Sequence, residues 1–304
     1  VPSSQIAAFL VALRIKGESV AELSGAALSM RQHALFVETG GLSVVDTCGT
    51  GGDGLNTFNI STTSAFVAAG AGAVIAKHGN RGVGGSSGSA DVLAAAGVNI
   101  DVPVDVVEKC IHDVGIGFLF APKVHPSMRY VAEVRKEIGL RTIFNMLGPL
   151  TNPAGANGQL VGVFAPELTE VFAHVLKDLG VKRALVVHGR DGMDEITLTA
   201  STRVTELYDG KVSTGEFDPA LFFDGYCSIE ELRGGTPEVN AQIMRSVLSG
   251  TKGPARDITL LNAAATLVVA GQADSIRDGL PSAEAAIDDG SALDVLERLV
   301  EATN

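Results

Sequence analysis

Three stretches of the chain bring together residue types able to hold phosphate, a divalent metal or an aromatic acid. The first, DTCGTGGDG (residues 46–54), follows the apolar run LSVV, and its Gly49, Gly51 and Gly54 fit the spacing G-x-G-x-x-G. A glycine-rich turn leaving a strand offers successive backbone N–H groups to an anion, and the dipole of the next helix adds attraction. Four glycines in six residues exceed what a tight turn requires, so phosphate binding is the preferred reading. The second stretch, KHGNRGVGGSSGSAD (77–91), gathers Lys77, His78, Asn80 and Arg81 with further glycines and serines. Two such loops after neighbouring strands, one of them cationic, suit a ligand with two separated phosphate groups. The third is the pair Asp194-Glu195 in HGRDGMDEITL. Adjacent carboxylates at the end of a strand suit Mg²⁺, a hard ion that also bridges phosphate oxygens, and Asp53 offers one more. Taken alone, the pair is equally well explained as solvated acids.

The dinucleotide reading of the first loop lacks its context. Its third glycine should open a helix, and an acid should end the following strand to hold a ribose hydroxyl. Instead LNTFNIS intervenes before a helix start expected at Ser61, and the strand ends in Lys77-His78. NADP tolerates a base there, so an oxidoreductase is the weakest alternative. No Gly-Lys-Ser/Thr follows, which removes the Walker A reading. Between Phe118 and Asn145, five bases (Lys123, Arg129, Arg135, Lys136, Arg141) face two acids (Glu133, Glu137). An arginine from this segment pointing into a cleft would suit a planar carboxylate bidentately.

The elements that must position these residues follow from periodicity. SSQIAAFLVALRIKG and SVAELSGAALSMRQHA read as two helices, the first with serine caps and a stop at Gly17. LSVVDT, STTSAFVAAGA, AVIAKHG and ADVLAAAG then read as strand, Ser/Thr-capped helix, strand and helix, a βαβ unit with parallel strands. Residues from about Val104 to Glu137 read mostly as helices. QLVGVF, ELTEVFAHVLKDLG and RALVVHG restore the α/β rhythm, RVTELYDGKVSTGEF reads as a hairpin turning at Asp209-Gly210, and the remainder is helical. The expectation is a small helical subdomain (1–41 and about 103–140) beside a larger α/β domain (42–102 and about 141–304) with a mostly parallel central sheet.

Composition narrows the partners. The 304 residues are 46% hydrophobic and 19% charged, with 36 glycines, no tryptophan and a net charge of −12. An acidic surface disfavours nucleic acid, and no uncharged apolar run approaches the ~18 residues of a membrane span. Cys48, Cys110 and Cys227 lie far apart and suggest no zinc site or disulfide framework, so a cytoplasmic setting is expected. The abrupt opening VPSS suggests that a further helix precedes it in the parent protein.

GTGGDGLNTFNIST, KHGNR, GSADVL, HPSMRYVAEVRKEIGLRTIFNMLGPLTNP and DGMDEITL, in this order, resemble the motifs of the anthranilate phosphoribosyltransferases across essentially the whole chain. The resemblance implies the nucleoside phosphorylase-like α/β fold, a homodimer formed through the helical subdomain, and transfer of phosphoribosyl from PRPP to anthranilate in tryptophan biosynthesis. It places Gly49, Gly51, Gly52, Asp53, Asn59, Ser61, Thr62, Lys77 and Ser89 on PRPP, and Ser61, Asp194 and Glu195 on Mg²⁺. It places Gly49, His78, Asn80, His125, Arg135, Gly148 and Pro149 along the anthranilate path, with Arg135 pairing with the carboxylate. No residue is implied as a strict acid or base. Relatives usually carry Ser where Gly84 stands and Lys or Arg where Ser86 stands, so a hydroxyl and a cation are missing beside the phosphate site. Two further readings are a pyrimidine nucleoside phosphorylase of the same fold and a non-enzymatic relative that binds nucleic acid.

Overall fold

Two short helices open the chain, α1 (Ser3–Lys16) and α2 (Val20–Gln32). The computed structural model describes residues 1–82, 87–223 and 225–304. Serine does not cap α1: Pro2 occupies the N-cap position and no side chain bonds the free amides. A proline there presets the extended entry to the first turn, and Ser3 and Ser4 fall inside the helix. Gly17, at φ 82°, ends it as expected. A capping box opens α2, in which the Ser19 hydroxyl accepts from the Glu22 amide and the Glu22 carboxylate accepts from the Ser19 amide at 2.9 Å.

Seven strands form one sheet: β1 (Val45–Asp46), β2 (Ile75–Gly79), β3 (Ile116–Phe120), β4 (Gly158–Gly162), β5 (Arg183–Gly189), β6 (Thr202–Tyr208) and β7 (Lys211–Phe217). Their order is β3-β2-β1-β4-β5-β6-β7, parallel through β5 and antiparallel for the last two. β6 and β7 form the expected hairpin. Asp209 and Gly210 both adopt positive φ (50° and 73°), as a two-residue turn matching strand twist requires. β1 is shorter than LSVVDT suggests, because the chain turns into the glycine loop after Asp46.

Residues 104–137 are mostly helical, as expected, and β3 is the departure within them. α5 (Val104–Lys109) is helical, but IGFLF pairs with β2 over its full length as the edge strand of the sheet. The short apolar run is buried on both faces, and such a run carries no period that separates strand from helix. β3 thus carries part of the 103–140 segment into the central sheet. α6 (Ala121–Val124), α7 (Ala132–Ile138) and α8 (Phe144–Leu147) follow β3, and α7 and α8 pack on α1 and α2.

Strand alternation separates the layers. Leu160, Leu185 and Val187 face a core shared with α3 (Ile60–Gly70), α10 (Pro237–Leu248), α11 (Pro254–Val269), α12 (Ile276–Asp288) and α13 (Ser291–Thr303). Their neighbours Val161, Ala184 and Val186 face a second core with α9 (Leu168–Asp178), where Leu10, Leu13 and Leu23 of the N-terminal helices join Ile143 and Met146. Phe66 and Phe172 are fully buried, one in each layer, and each contributes roughly 1.5–3 kcal/mol. The remaining helix, α4 (Ser89–Ala95), follows the loop after β2. Among the described residues no helix is long and apolar enough to cross a membrane.

Candidate active site

The glycine loop leaves the end of β1 and is fixed from several sides. The Thr50 amide donates to Gly162 O at 2.8 Å, and the Thr50 hydroxyl accepts from the Phe164 amide at 3.1 Å. The Gly51 amide donates to Asp194 Oδ2 at 2.7 Å, which joins the first motif to the third across 143 residues. That contact depends on Gly162 at the end of β4. A Cβ there would lie 1.5 Å from the Asp194 carbonyl oxygen, so only glycine lets the DGMDE turn approach the sheet.

Asp194 and Glu195 sit half-buried with Asp53 and Lys77 inside the range of their charges. Burial, together with the neighbouring carboxylates, pushes both well above the usual carboxylate range. Lys77 and the Ser61 amide oppose this for Glu195 without cancelling it. Crowded, half-buried acids that resist ionisation are a fitting environment for a dication. Among the described residues, no three His, Cys, Asp or Glu side chains converge on a metal position. The adjacent carboxylates of Asp194 and Glu195 are hard oxygen donors that fit Mg²⁺, which takes one or two carboxylates and leaves its other positions to water and substrate phosphate. The turn carrying these acids is braced by Asp191, which accepts from the Met193 amide and the Thr197 hydroxyl, and by Asn262 of α11, which bonds both the amide and the carbonyl of Ile196.

Lys77, only 2% exposed, donates to the Thr47 hydroxyl at 2.9 Å, and the Thr47 hydroxyl also lies 3.2 Å from the Ser61 carbonyl. The neighbouring His78 is held from two sides. Its amide donates to Asp46 Oδ1 at 3.1 Å, and its ring Nδ1 lies 3.1 Å from Gly148 O. A carbonyl only accepts, so Nδ1 carries the proton and Nε2 keeps its lone pair. That Nε2, and both ring nitrogens of His125, are buried without a hydrogen-bond partner among the described residues. The two imidazoles meet edge to face with centroids 5.0 Å apart. Burial lowers the His78 pKa to about 3 and the His125 pKa to about 4, so both rings are neutral.

Asn152 completes the frame, donating to Asp46 Oδ2 at 2.7 Å and to Ala76 O at 2.8 Å. Burial lifts the Asp46 carboxyl to about 6 despite Lys77 and these bonds. The Gly148-Pro149 turn is fastened by Gln159, which donates to Pro149 O at 2.8 Å. Arg135 lies with its guanidinium over the Phe144 ring, 5.2 Å from the centroid.

Asn59 stands at the N-cap of α3, one residue before the helix begins, whereas the expected cap was a Ser/Thr and the expected start Ser61. Its side chain does not cap the helix. It donates to Ser87 O and accepts from Asn240 of α10, both at 3.0 Å, and so ties the second loop to the helical layer. Ser89 contacts Asn80 O at 3.4 Å. Thr62 Oγ1 and Ser87 Oγ are further buried polar atoms without partners among the described residues. The expectations for Gly84 and Ser86 lie outside the described residues. Asp91 bonds the amides of Gly82 and Gly88, the two ends flanking that stretch, at 2.8 and 3.1 Å, and pairs with Arg81.

The three motifs are therefore brought together at the carboxyl ends of the parallel strands. Asp46, Thr47, Asn152, Gly162, Asp191 and Asn240 escaped the sequence reading because they act through backbone and other side chains. Only Asp46, an acid placed directly before a glycine loop, carried a local signal.

This is the layout of a glycosyl transferase. The helical bundle domain of the glycosyl transferase family matches residues 1–34, and its α/β domain matches 41–293. Anthranilate phosphoribosyltransferases of Desulfosudis oleivorans and Symbiobacterium thermophilum are each 56% identical over 301 residues, covering 99% of this chain and 89% and 88% of their own lengths. The crystal structure of the Thermus thermophilus enzyme superposes with a TM-score of 0.95 at 42% identity, covering all of this chain and 91% of the other. The Saccharomyces cerevisiae enzyme in complex with PRPP and Mg gives 0.90 at 30% identity, covering 99% and 85%. The chain belongs to the anthranilate phosphoribosyltransferase family.

Proposed function

We propose that this chain transfers the phosphoribosyl group of PRPP to the amino nitrogen of anthranilate and releases pyrophosphate, in tryptophan biosynthesis. The observation that carries this reading is the meeting of the glycine loop, the buried Lys77 and the Asp194-Glu195 pair near two neutral imidazoles whose nitrogens lack partners among the described residues. The backbone of Gly49, Gly51 and Gly52, with Asp53, Asn59, Ser61, Thr62, Lys77 and Ser89, would hold PRPP. Asp194 and Glu195, with Ser61, would hold Mg²⁺, whose charge stabilises the departing pyrophosphate. Arg135 would pair with the anthranilate carboxylate, with Asn80, His78, His125 and the Gly148-Pro149 turn lining the path.

In the reaction the amine lone pair forms the new C1–N bond as the C1–O bond breaks, its electron pair leaving with pyrophosphate. An aromatic amine is already a nucleophile at neutral pH, so orientation and charge stabilisation supply most of the rate. His78 Nε2, an acceptor by its tautomer, suits the amine N–H that must lose its proton. A homodimer formed through the helical subdomain fits the apolar groove between α1, α2 and α8, where Phe9 is 65% exposed.

The test is direct: protein, Mg²⁺, PRPP and anthranilate are mixed and the loss of anthranilate fluorescence is followed. Loss that requires all components is expected. No loss, with phosphorolysis of thymidine or uridine in its place, would assign the site to a nucleoside phosphorylase. Arg135→Ala should raise the anthranilate KM by ~10–100-fold, the scale of a hydrogen-bonded charge pair, and leave the PRPP KM within about threefold. An unchanged anthranilate KM removes Arg135 from that role.

A further inference from the structure

Arg141 lies between α7 and α8, outside the set of side chains expected to touch either substrate, yet it reaches the glycine loop. Its Nη2 donates to the Gly52 carbonyl at 2.5 Å. Its guanidinium lies over the Phe164 ring, 4.5 Å from the centroid, and the Phe164 amide is bonded to Thr50 of the same loop. Its own carbonyl accepts from the guanidinium of Arg14 at the end of α1. One arginine thus connects the N-terminal helices, the segment after α7 and the phosphate loop. We propose that Arg141 is a positioning residue that sets the peptide orientation of the pyrophosphate loop, and this rests on the reading of that loop as the PRPP pyrophosphate site.

The loop needs such a restraint. Gly51, Gly52 and Gly54 all adopt positive φ (65°, 81° and 78°), where glycine has no steric preference for one peptide orientation over its flip. In a planar trans peptide the C=O and the following N–H point in opposite directions. Fixing the Gly52 oxygen toward Arg141 therefore fixes the Asp53 amide away from Arg141. A released peptide is free to rotate and to place an oxygen, which repels phosphate, where an N–H belongs. Thr50 and Gly51 are already held by Gly162 and Asp194. Among the described residues Arg141 supplies the contact at Gly52 from the opposite, helical side. A cation at that carbonyl also favours an anion nearby, and Arg141 enters no ion pair among the described residues.

The proposal is tested with Arg141→Met, which keeps an unbranched side chain and removes the guanidinium fork, and with Arg141→Lys. KM values for both substrates, the inhibition constant of pyrophosphate with Mg²⁺, and the melting temperature are measured. Expected is a rise of about tenfold in the PRPP KM and in the pyrophosphate constant for Arg141→Met, the scale of one hydrogen bond to a charged group. The anthranilate KM should stay within twofold and the melting temperature within about 2 °C. Arg141→Lys, which keeps the charge without the planar fork, should recover only part of the loss. Arg14→Met, which removes the support of the Arg141 backbone, should shift the PRPP KM in the same direction by a smaller factor. A PRPP KM unchanged in Arg141→Met, full recovery by lysine, or equal rises in both KM values overturns the positioning role. Absence of turnover by the unmodified protein in the same assay would instead overturn the reading of the site.

Discussion

At the scale of single residues, the two imidazoles make the most specific demand on solution conditions. His78 and His125 are held neutral by burial, with pKa values lowered to about 3 and about 4. As pH falls below the ordinary histidine value, the unfolded chain takes up these protons and the folded chain does not. Stability is therefore present above about pH 6.5 and is lost as pH falls toward 4, by ~2 kcal/mol per imidazole between pH 7.5 and 5. Asp46 acts with the opposite sign, because its carboxyl is raised to about 6 and the folded chain binds that proton first. His125→Asn removes one of the two imidazoles, so denaturation midpoints at pH 7.5 and 5 should differ less in the variant than in the parent; an identical difference would show that His125 is protonated in the fold. These groups also mark the limit of the sequence at this scale. KHGNR announced a ligand site, but nothing in it shows that Gly148 O selects the His78 tautomer or that Asn152 and Asp46 hold the strand end. These bonds span 32, 70 and 106 residues, and no spacing rule connects their partners.

At the scale of elements, the site depends on how closely β4 and the DGMDE turn approach each other. Gly162→Ala would place a Cβ 1.5 Å from the Asp194 carbonyl oxygen, and both groups are backbone that cannot rotate aside. The turn must move as a body, taking with it the Asp194 bond to the Gly51 amide. The expected outcome is a loss of several kcal/mol in stability, as for overpacked cores, and a Mg²⁺ requirement shifted to higher concentration. Retention of the parental melting temperature and Mg²⁺ dependence would mean that the turn has slack here. The sequence suggested the strand, since QLVGVF is plainly β-like, and it concealed the reason for its glycine. The same limit explains β3. IGFLF is fully buried on both faces, and with helices before and after it the local pattern gave no sign of a strand at the sheet edge. The hairpin at Asp209-Gly210, by contrast, was legible because its turn chemistry and alternation are local.

At the scale of the whole molecule, the unresolved demand is the apolar face of the N-terminal helices. A cavity of about 960 Å³ runs between α1, α2 and the segment around Tyr130 and Phe144, lined by Ile6, Phe9, Leu10, Leu13 and Met30 among others. Phe9 and Tyr130 are 65% and 67% exposed along it, and contiguous exposed apolar side chains of this kind mark an interaction surface. Ile143 and Leu147 line the same groove from the segment that leads into the Gly148-Pro149 turn, so whatever fills the groove braces the anthranilate side of the site from behind. A second copy of the chain is the occupant proposed above, and two like faces meeting around a twofold axis would cover these side chains reciprocally. Two measurements then have to agree. The melting temperature of the parent should rise with protein concentration, because association stabilises only the folded chain. Phe9→Glu, which puts a charge at the centre of the contact, should sediment as a monomer, and its melting temperature should be lower and independent of concentration. A parent that sediments as a monomer at micromolar concentration would leave the groove to a different partner.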